Sequence, residues 1–456
     1  MKTTNTALYE TMPVRRAVIT LALPTILSQL VTVLYNMADT YFIGQMNDPN
    51  QVAAATLSMP PFLLLTGLAN LFGIGGASMI SRSLGKGDRD RARKGAAFSI
   101  WAAGATALLY GLLIFFLRPW LLPLIGADAD TIDYCTRYVV WTITIGALPT
   151  VLTATFAHLV RAEGYARQAS IGVGMGALLN VILDPIFIFG FSMEILGAAV
   201  ATMLSNLVTM VYFIVFLVRI RQKTVISLSP SDVSLRDRIP QEILSVGFPS
   251  FLMMLLVLLS NTVLNRLMAS YSNEAIAGMG IAKRIDMLAI AIANGMTQGV
   301  LSLIGYNYAS GNRERMKKVI HTTFAYTLVL ALAGLAFLYL CAAPVAKFFI
   351  DDAQTVEYGQ YFLRAICFIC PTIAVNMLII TIFQAVGFKG RPMLLTVLRK
   401  GGLDIPLMLL FNALFGIWGI GWAPFASDAM AMCVALILFL PFYKKLFGNA
   451  HAAPET

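Results

Sequence analysis

A bilayer's hydrocarbon core, about 30 Å thick, is crossed by a helix of about 20 mostly apolar residues, and this chain supplies stretches of that length again and again. Breaks at charged residues and at Gly/Pro clusters mark twelve of them: 16–43, 52–82, 95–118, 134–160, 168–190, 195–219, 242–270, 275–308, 319–343, 360–386, 392–413 and 417–443. Residues are 58% apolar and only 12% charged, whereas soluble domains carry about 25% charged residues. A water-soluble fold is excluded. Several stretches exceed 25 residues, so tilting or kinking is expected. The polar start through Met12 leads into an apolar run too long for a signal peptide and lacking an A-x-A site, so the first helix should be retained.

The loops set an orientation. The N-terminal arm, from Lys2 to Arg16, and alternate loops such as Arg82–Lys94, Arg219–Arg238 and Arg313–Lys318 hold 24 of the 33 basic residues. The opposite loops hold only Arg118, Arg137, Lys347 and Arg364. The positive-inside rule then places both termini in the cytoplasm of a multi-pass plasma (inner) membrane protein. The same pattern accounts for the net charge of +10 without nucleic acid, since the cations are scattered over short loops with no aromatic interleaving.

Enzymatic sites find little support. Cys135, Cys341, Cys367, Cys370 and Cys433 lie in or beside apolar runs, and the pair Cys367-x-x-Cys370 has no second ligand pair, so buried thiols are expected rather than a disulfide or metal site. His158, His321 and His451 are far apart. Gly172-x-Gly174-x-Gly176 lies inside a span with no preceding strand and reads as a helix contact.

The chain repeats itself. A shift of 224 residues sets Gly67–Lys94 on Ala291–Lys318 with nine of 28 positions identical, among them Asn70, Gly87, Arg89, Arg91 and Lys94. Shared apolarity does not explain matched Asn, Arg and Lys. With small changes of shift, Pro24 falls on Pro249, Asn36 on Asn261, and Ile195-x-Gly197 on Ile417-x-Gly419. The expected fold class is therefore an all-α integral membrane protein, its twelve transmembrane helices arranged in two pseudo-symmetric six-helix bundles. These occupy 1–220 and 241–456, joined by a cytoplasmic linker at 221–240. Six is even, so the repeats are parallel, an arrangement that in transporters encloses a central site and supports alternating access.

Five carboxylates fall inside spans: Asp39, Asp184, Asp286, Asp404 and Asp428. At roughly 2.5–3.5 kcal/mol for each charge at mid-membrane, they must be paired, hydrated, protonated or ion-bound. Asp39 and Asp184 lie about one turn from the outer ends of their spans, and Thr202 lies at a similar depth on the sixth. Asn180, four residues before Asp184, shares its helix face, while Pro185 disturbs that helix. Two carboxylates, an amide oxygen and a hydroxyl suit a hard cation such as Na⁺. Two neighbouring carboxylates can equally share a proton, and a structural hydrogen-bond cluster is the bland alternative. Asp286 beside Lys283 and Arg284, and Asp404 one turn after Arg399 and Lys400, are expected in ion pairs; Asp428 has no local partner. Thr32, Tyr35 and Asn36 share a face of the first helix with Asp39, and Asn206 follows Thr202 by four residues. Such polar stripes suit a substrate cavity, and 22 methionines and 49 aromatic residues suit an adaptable apolar pocket.

These residues resemble the multidrug and toxic compound extrusion (MATE) family. The resemblance covers essentially the whole chain: ALPTILSQLVTVLYNMADTYFIG in the first span, SRSLGKGDRDRARK after the second, RAEGYAR after the fourth and NVILDP in the fifth. It is strongest toward the bacterial branch that couples through its first half, and within it toward staphylococcal-type multidrug exporters. The resemblance implies a cation site at Asp39, Asn180, Asp184 and Thr202, and bending of the first helix at Pro24. Another branch carries acids on its seventh and tenth helices; here those spans hold none beyond the terminal Glu242. What the resemblance implies is a secondary antiporter, not an enzyme, that exports amphipathic or cationic drugs or metabolites in exchange for Na⁺ or H⁺. It needs no cofactor beyond the coupling ion, and a monomer in the lipid bilayer is expected. A flippase for lipid-linked saccharides, from the same superfamily, is the alternative, but would call for a strongly cationic central cavity.

Overall fold

The computed structural model describes residues 6–46, 48–349 and 352–447; Lys2, His451 and both chain ends lie outside them. The described residues form helices and connecting turns, with no strand among them. The long helices are α1 (Val14–Gly44), α2 (Met59–Gly85), α3 (Arg89–Leu124), α4 (Ile132–Ile145 with Ala147–Ala162), α5 (Ala166–Gly190), α6 (Ile195–Arg219), α7 (Ile239–Ala269), α8 (Asn273–Ala309), α9 (Arg313–Leu340) and α10 (Ala353–Ala385). The run Gly390–Phe447 completes the fold.

Ten of these elements are each long and apolar enough to cross a membrane, and α4, bent by 48° at Gly146, makes an eleventh crossing. The 58 residues of Gly390–Phe447 would span roughly 87 Å as one straight helix, nearly three bilayer cores. They are divided at Gly416, whose φ of 60° and ψ of −146° are non-helical, into α11 (390–415) and α12 (417–447). The twelve expected crossings are thereby all present in a multi-pass membrane protein.

Two compact units emerge. One comprises 1–6 and 27–255, the other 7–26 and 256–456. Helix α1 thus contributes its first part to the second unit and the remainder to the first, dividing between Ile26 and Leu27. That division lies two residues beyond Pro24, which cannot donate a backbone hydrogen bond to the preceding turn. Helix α7 divides similarly, after Leu255 and beyond its own Pro249.

Glycine makes the close packing possible. In the first unit a Cβ at Gly247 of α7 would lie 1.8 Å from the Leu71 carbonyl oxygen of α2; in the second, a Cβ at Gly299 of α8 would lie 2.7 Å from Cα of Ala22 in α1. Neither contact admits a side chain.

The identities between the halves have a local cause. Gly87 and Gly311, at φ of 77° and 76°, make the left-handed turn that glycine favours. The next residues, Asp88 and Asn312, cap α3 and α9 by accepting from the backbone N–H groups of Arg91 and Arg315, at 2.9 and 3.1 Å. A helix start needs such an acceptor, so the loop signature is preserved in both halves.

Candidate cation-binding site

In the first unit, α5 and α6 bring three of the four expected site residues into hydrogen-bond contact. The Asn180 amide nitrogen donates to Asp184 Oδ1 and to Thr202 Oγ1, each at 3.3 Å. All three side chains are buried, Asp184 completely. One helical turn sets the Asn180–Asp184 spacing. Directly after Asp184, Pro185 removes a backbone donor and the helix widens into a π-helical segment over Ile186–Gly190, a distortion often found at functional sites.

The amide is used up on its donor side, and the oxygens are left over. Asn180 Oδ1, Asp184 Oδ2 and Asp39 Oδ1 are each buried without a hydrogen-bond partner. Asp39, near the C-terminal end of α1, lies within electrostatic reach of Asp184. Both carboxylates also act electrostatically on the hydroxyls of Tyr35 and Tyr138. Buried polar atoms are normally satisfied, each orphan costing about 1–3 kcal/mol. The orphaned oxygens of Asn180 and Asp184, joined through Asn180 to the Thr202 hydroxyl and in electrostatic contact with Asp39, form an acceptor-rich set that a proton or a hard cation would complete. Among the described residues no group of three or more His, Cys, Asp or Glu is placed to hold a metal ion together.

Tyr138 is the residue that sequence reading missed. It lies one turn inside the start of the fourth predicted span, at the depth already assigned to Asp39, so the same depth argument reaches it.

The polar stripe divides in the structure. Thr32 donates to the Ser28 carbonyl of its own helix at 2.9 Å, and Asn36 is exposed. Asn206 joins α6 to α4: it donates to Thr150 Oγ1 at 3.1 Å, and its carbonyl accepts from Thr153 Oγ1 at 3.0 Å. Asn206 is therefore tied to α4.

The acids of the second unit are paired. Asp404 accepts from Lys400 at 2.8 Å and from Ser260 of α7 at 2.7 Å. Asp286 faces Lys283 at 3.8 Å. Asp428, without a neighbour in sequence, binds Arg399, both of them 2% exposed. This corrects the expectation that Arg399 would serve Asp404: Lys400, four residues before Asp404, pairs with it, and Arg399 pairs with Asp428 of α12 instead. The five cysteines are free thiols.

The comparisons with known proteins agree with this architecture. The MatE family profile matches residues 24–186 and again 249–410, the two copies beginning at Pro24 and Pro249. The chain belongs to the MatE family, and so is a transporter rather than an enzyme. Among its relatives is the multidrug export protein MepA of Staphylococcus saprophyticus, 31% identical over 433 residues, 95% of each chain. Among solved structures it is similar to a MATE in complex with MaL6 (25% identity, TM-score 0.91) and to the outward-facing conformation of a multidrug resistance MATE family transporter (26%, 0.89). Each alignment covers 98% of this chain and 99% of the other.

Proposed function

We propose that the protein is a cation-coupled antiporter that exports amphipathic, often cationic compounds across the plasma membrane, with both termini cytoplasmic. One observation carries this reading: the three buried, partnerless oxygens of Asp39, Asn180 and Asp184 in the first unit, where Asn180 also donates to Thr202. Carboxylates buried in this way are costly unless charge-compensated, so a Na⁺ or H⁺ arriving from outside supplies what the fold omits. Family membership and the similarity to staphylococcal multidrug export proteins support the drug-export part.

In this account Asp39 and Asp184 bind the ion, Asn180 and Thr202 orient it, and Tyr35 senses the charge from the same face of α1. Binding draws α1 toward α5, and α1 yields near Pro24, where the chain passes from one compact unit into the other. The polar stripe of Thr32, Tyr35 and Asn36 is thereby altered, and substrate leaves. An ion that binds only one conformation shifts the equilibrium by its differential affinity, which is the source of coupling.

The test is dye efflux from proteoliposomes under an imposed Na⁺ gradient or an imposed pH gradient, applied one at a time. One of them should drive efflux in the native protein and neither in Asp39→Asn or Asp184→Asn. Full activity in both variants overturns the assignment.

A further inference from the structure

The turn joining α2 to α3 borders a cavity of about 300 Å³, lined by Arg82, Ser83, Lys86, Asp88, Arg91 and Glu242. Arg82 and Lys86 leave the end of α2 four residues apart and so face the same way. Arg91 comes from the first turn of α3, and Glu242 from the first turn of α7. Glu242 engages Arg91 at 2.8 Å and Arg82 at 3.5 Å, while Asp88 is committed to capping α3. Three cations and two carboxylates line the cavity, so its lining carries net positive charge.

The second half supplies an internal control. The 224-residue shift carries Arg91 onto Arg315 and Arg82 onto Tyr306; a shift of 225 carries Tyr9 onto Ser234. In the second unit Tyr306 stacks on Tyr9 with ring centroids 4.8 Å apart, and Tyr9 is 3% exposed. Arg315 holds that segment by donating to the carbonyls of Leu8, Tyr9 and Met12 at 2.6–3.1 Å. In the first unit Arg91 keeps the matching contact, donating at 3.2 Å to the carbonyl of Asp237, the counterpart of Met12. The ring pair, however, is replaced by an arginine and a serine. The second unit thus stacks two aromatic rings beside Arg315, whereas in the first unit Arg82, the counterpart of Tyr306, borders a cavity whose lining carries net positive charge.

We propose that this cavity binds a phosphate group, either the headgroup of an anionic phospholipid or free phosphate. Two guanidinium forks and an ammonium suit the several acceptor oxygens of a phosphate. Basic pockets at the ends of membrane helices lie at headgroup level, where anionic lipids are concentrated. This ligand is distinct in charge and place from the exported compounds.

The experiment is thermal unfolding of the full-length protein titrated with a short-chain phosphatidylglycerol, with inorganic phosphate, and with the matching phosphatidylcholine. Phosphatidylglycerol should raise the melting temperature, and Arg82→Gln combined with Lys86→Gln should weaken that response at least tenfold, while Arg118→Gln leaves it intact. A response to phosphatidylglycerol alone assigns the site to lipid; an equal response to inorganic phosphate assigns it to the free anion. An equal response to phosphatidylcholine, or an undiminished response in the double variant, overturns the proposal. Should the double variant fail to fold, Glu242→Gln decides: removing the competing carboxylate should tighten phosphatidylglycerol binding, and no tightening refutes the site.

Discussion

Replacing Glu194 by glycine should stabilise the protein. Glu194 precedes α6 with φ of 55° and ψ of −141°, a region that side chains with a Cβ avoid at a cost of about 1–3 kcal/mol. Its counterpart in the second half, one residue before Ile417-x-Gly419, is Gly416, with φ of 60° and ψ of −146°. The two halves thus make the same backbone break between their fifth and sixth helices, one with the residue suited to it and one without. Glycine would relieve the strain at 194 but loses about 0.4–1 kcal/mol through the greater freedom of the unfolded chain. Glu194 is exposed, so removing its side chain forfeits no burial. The net expectation is a gain of about 0.5–2 kcal/mol. The reverse change, Gly416→Ala, should cost a similar amount through the backbone alone, since a Cβ there meets nothing closer than the Tyr271 hydroxyl at 3.6 Å. Thermal unfolding of the purified protein reads both. A raised midpoint for Glu194→Gly and a lowered one for Gly416→Ala are expected; a lowered midpoint for Glu194→Gly refutes the strain argument.

Other perturbations test other parts of the structure. Asp428→Asn should destabilise the second unit by about 3–5 kcal/mol, because Arg399 would keep its charge with its buried partner gone; the double change Arg399→Met with Asp428→Leu should recover most of the loss in the same unfolding assay. Gly247→Val should sharply lower folded yield, as its side chain would enter the Leu71 carbonyl, whereas valine at Gly174, where a Cβ meets nothing within 4 Å, should be tolerated, as size-exclusion profiles would show. Glu163, at the end of α4, accepts hydrogen bonds from Thr224 Oγ1 and the Val225 backbone N–H. Burial outweighs those bonds and pushes its pKa from 4.5 to about 6. A carboxyl with a raised folded pKa gives its full stability below about 4.5 and loses it as pH rises through about 6. Glu163→Gln should therefore flatten the pH dependence of the melting temperature across that window; an unchanged slope counts against it.

The crossings and the site were legible in sequence for different physical reasons. Apolar runs report directly on the solvent around a helix, so the crossings follow from composition along the chain. Asn180 and Asp184 are neighbours on one helix, which spacing alone reveals, and Thr202 joins them because an alternating topology makes depth calculable. Contacts that depend on how helices pack were hidden. Asp428 finds Arg399 from another helix, and apolar periodicity does not announce that pairing. Tyr138 was overlooked because tyrosine near a helix end reads as an interfacial anchor. The stretch around Tyr9 reads as part of a polar tail, yet within the second unit Arg315 and Tyr306 hold it, and nothing local in the tail announces that.

The most direct test of the account is ion-driven transport. In proteoliposomes holding the native protein, an inward gradient of Na⁺ or of H⁺ should drive dye efflux, and replacing Asp39 or Asp184 by asparagine should abolish it while Asp286→Asn, outside the cluster, retains it. Efflux that persists in both site variants, or proceeds without either gradient, would contradict the claim that the partnerless oxygens of the first unit couple ion entry to export.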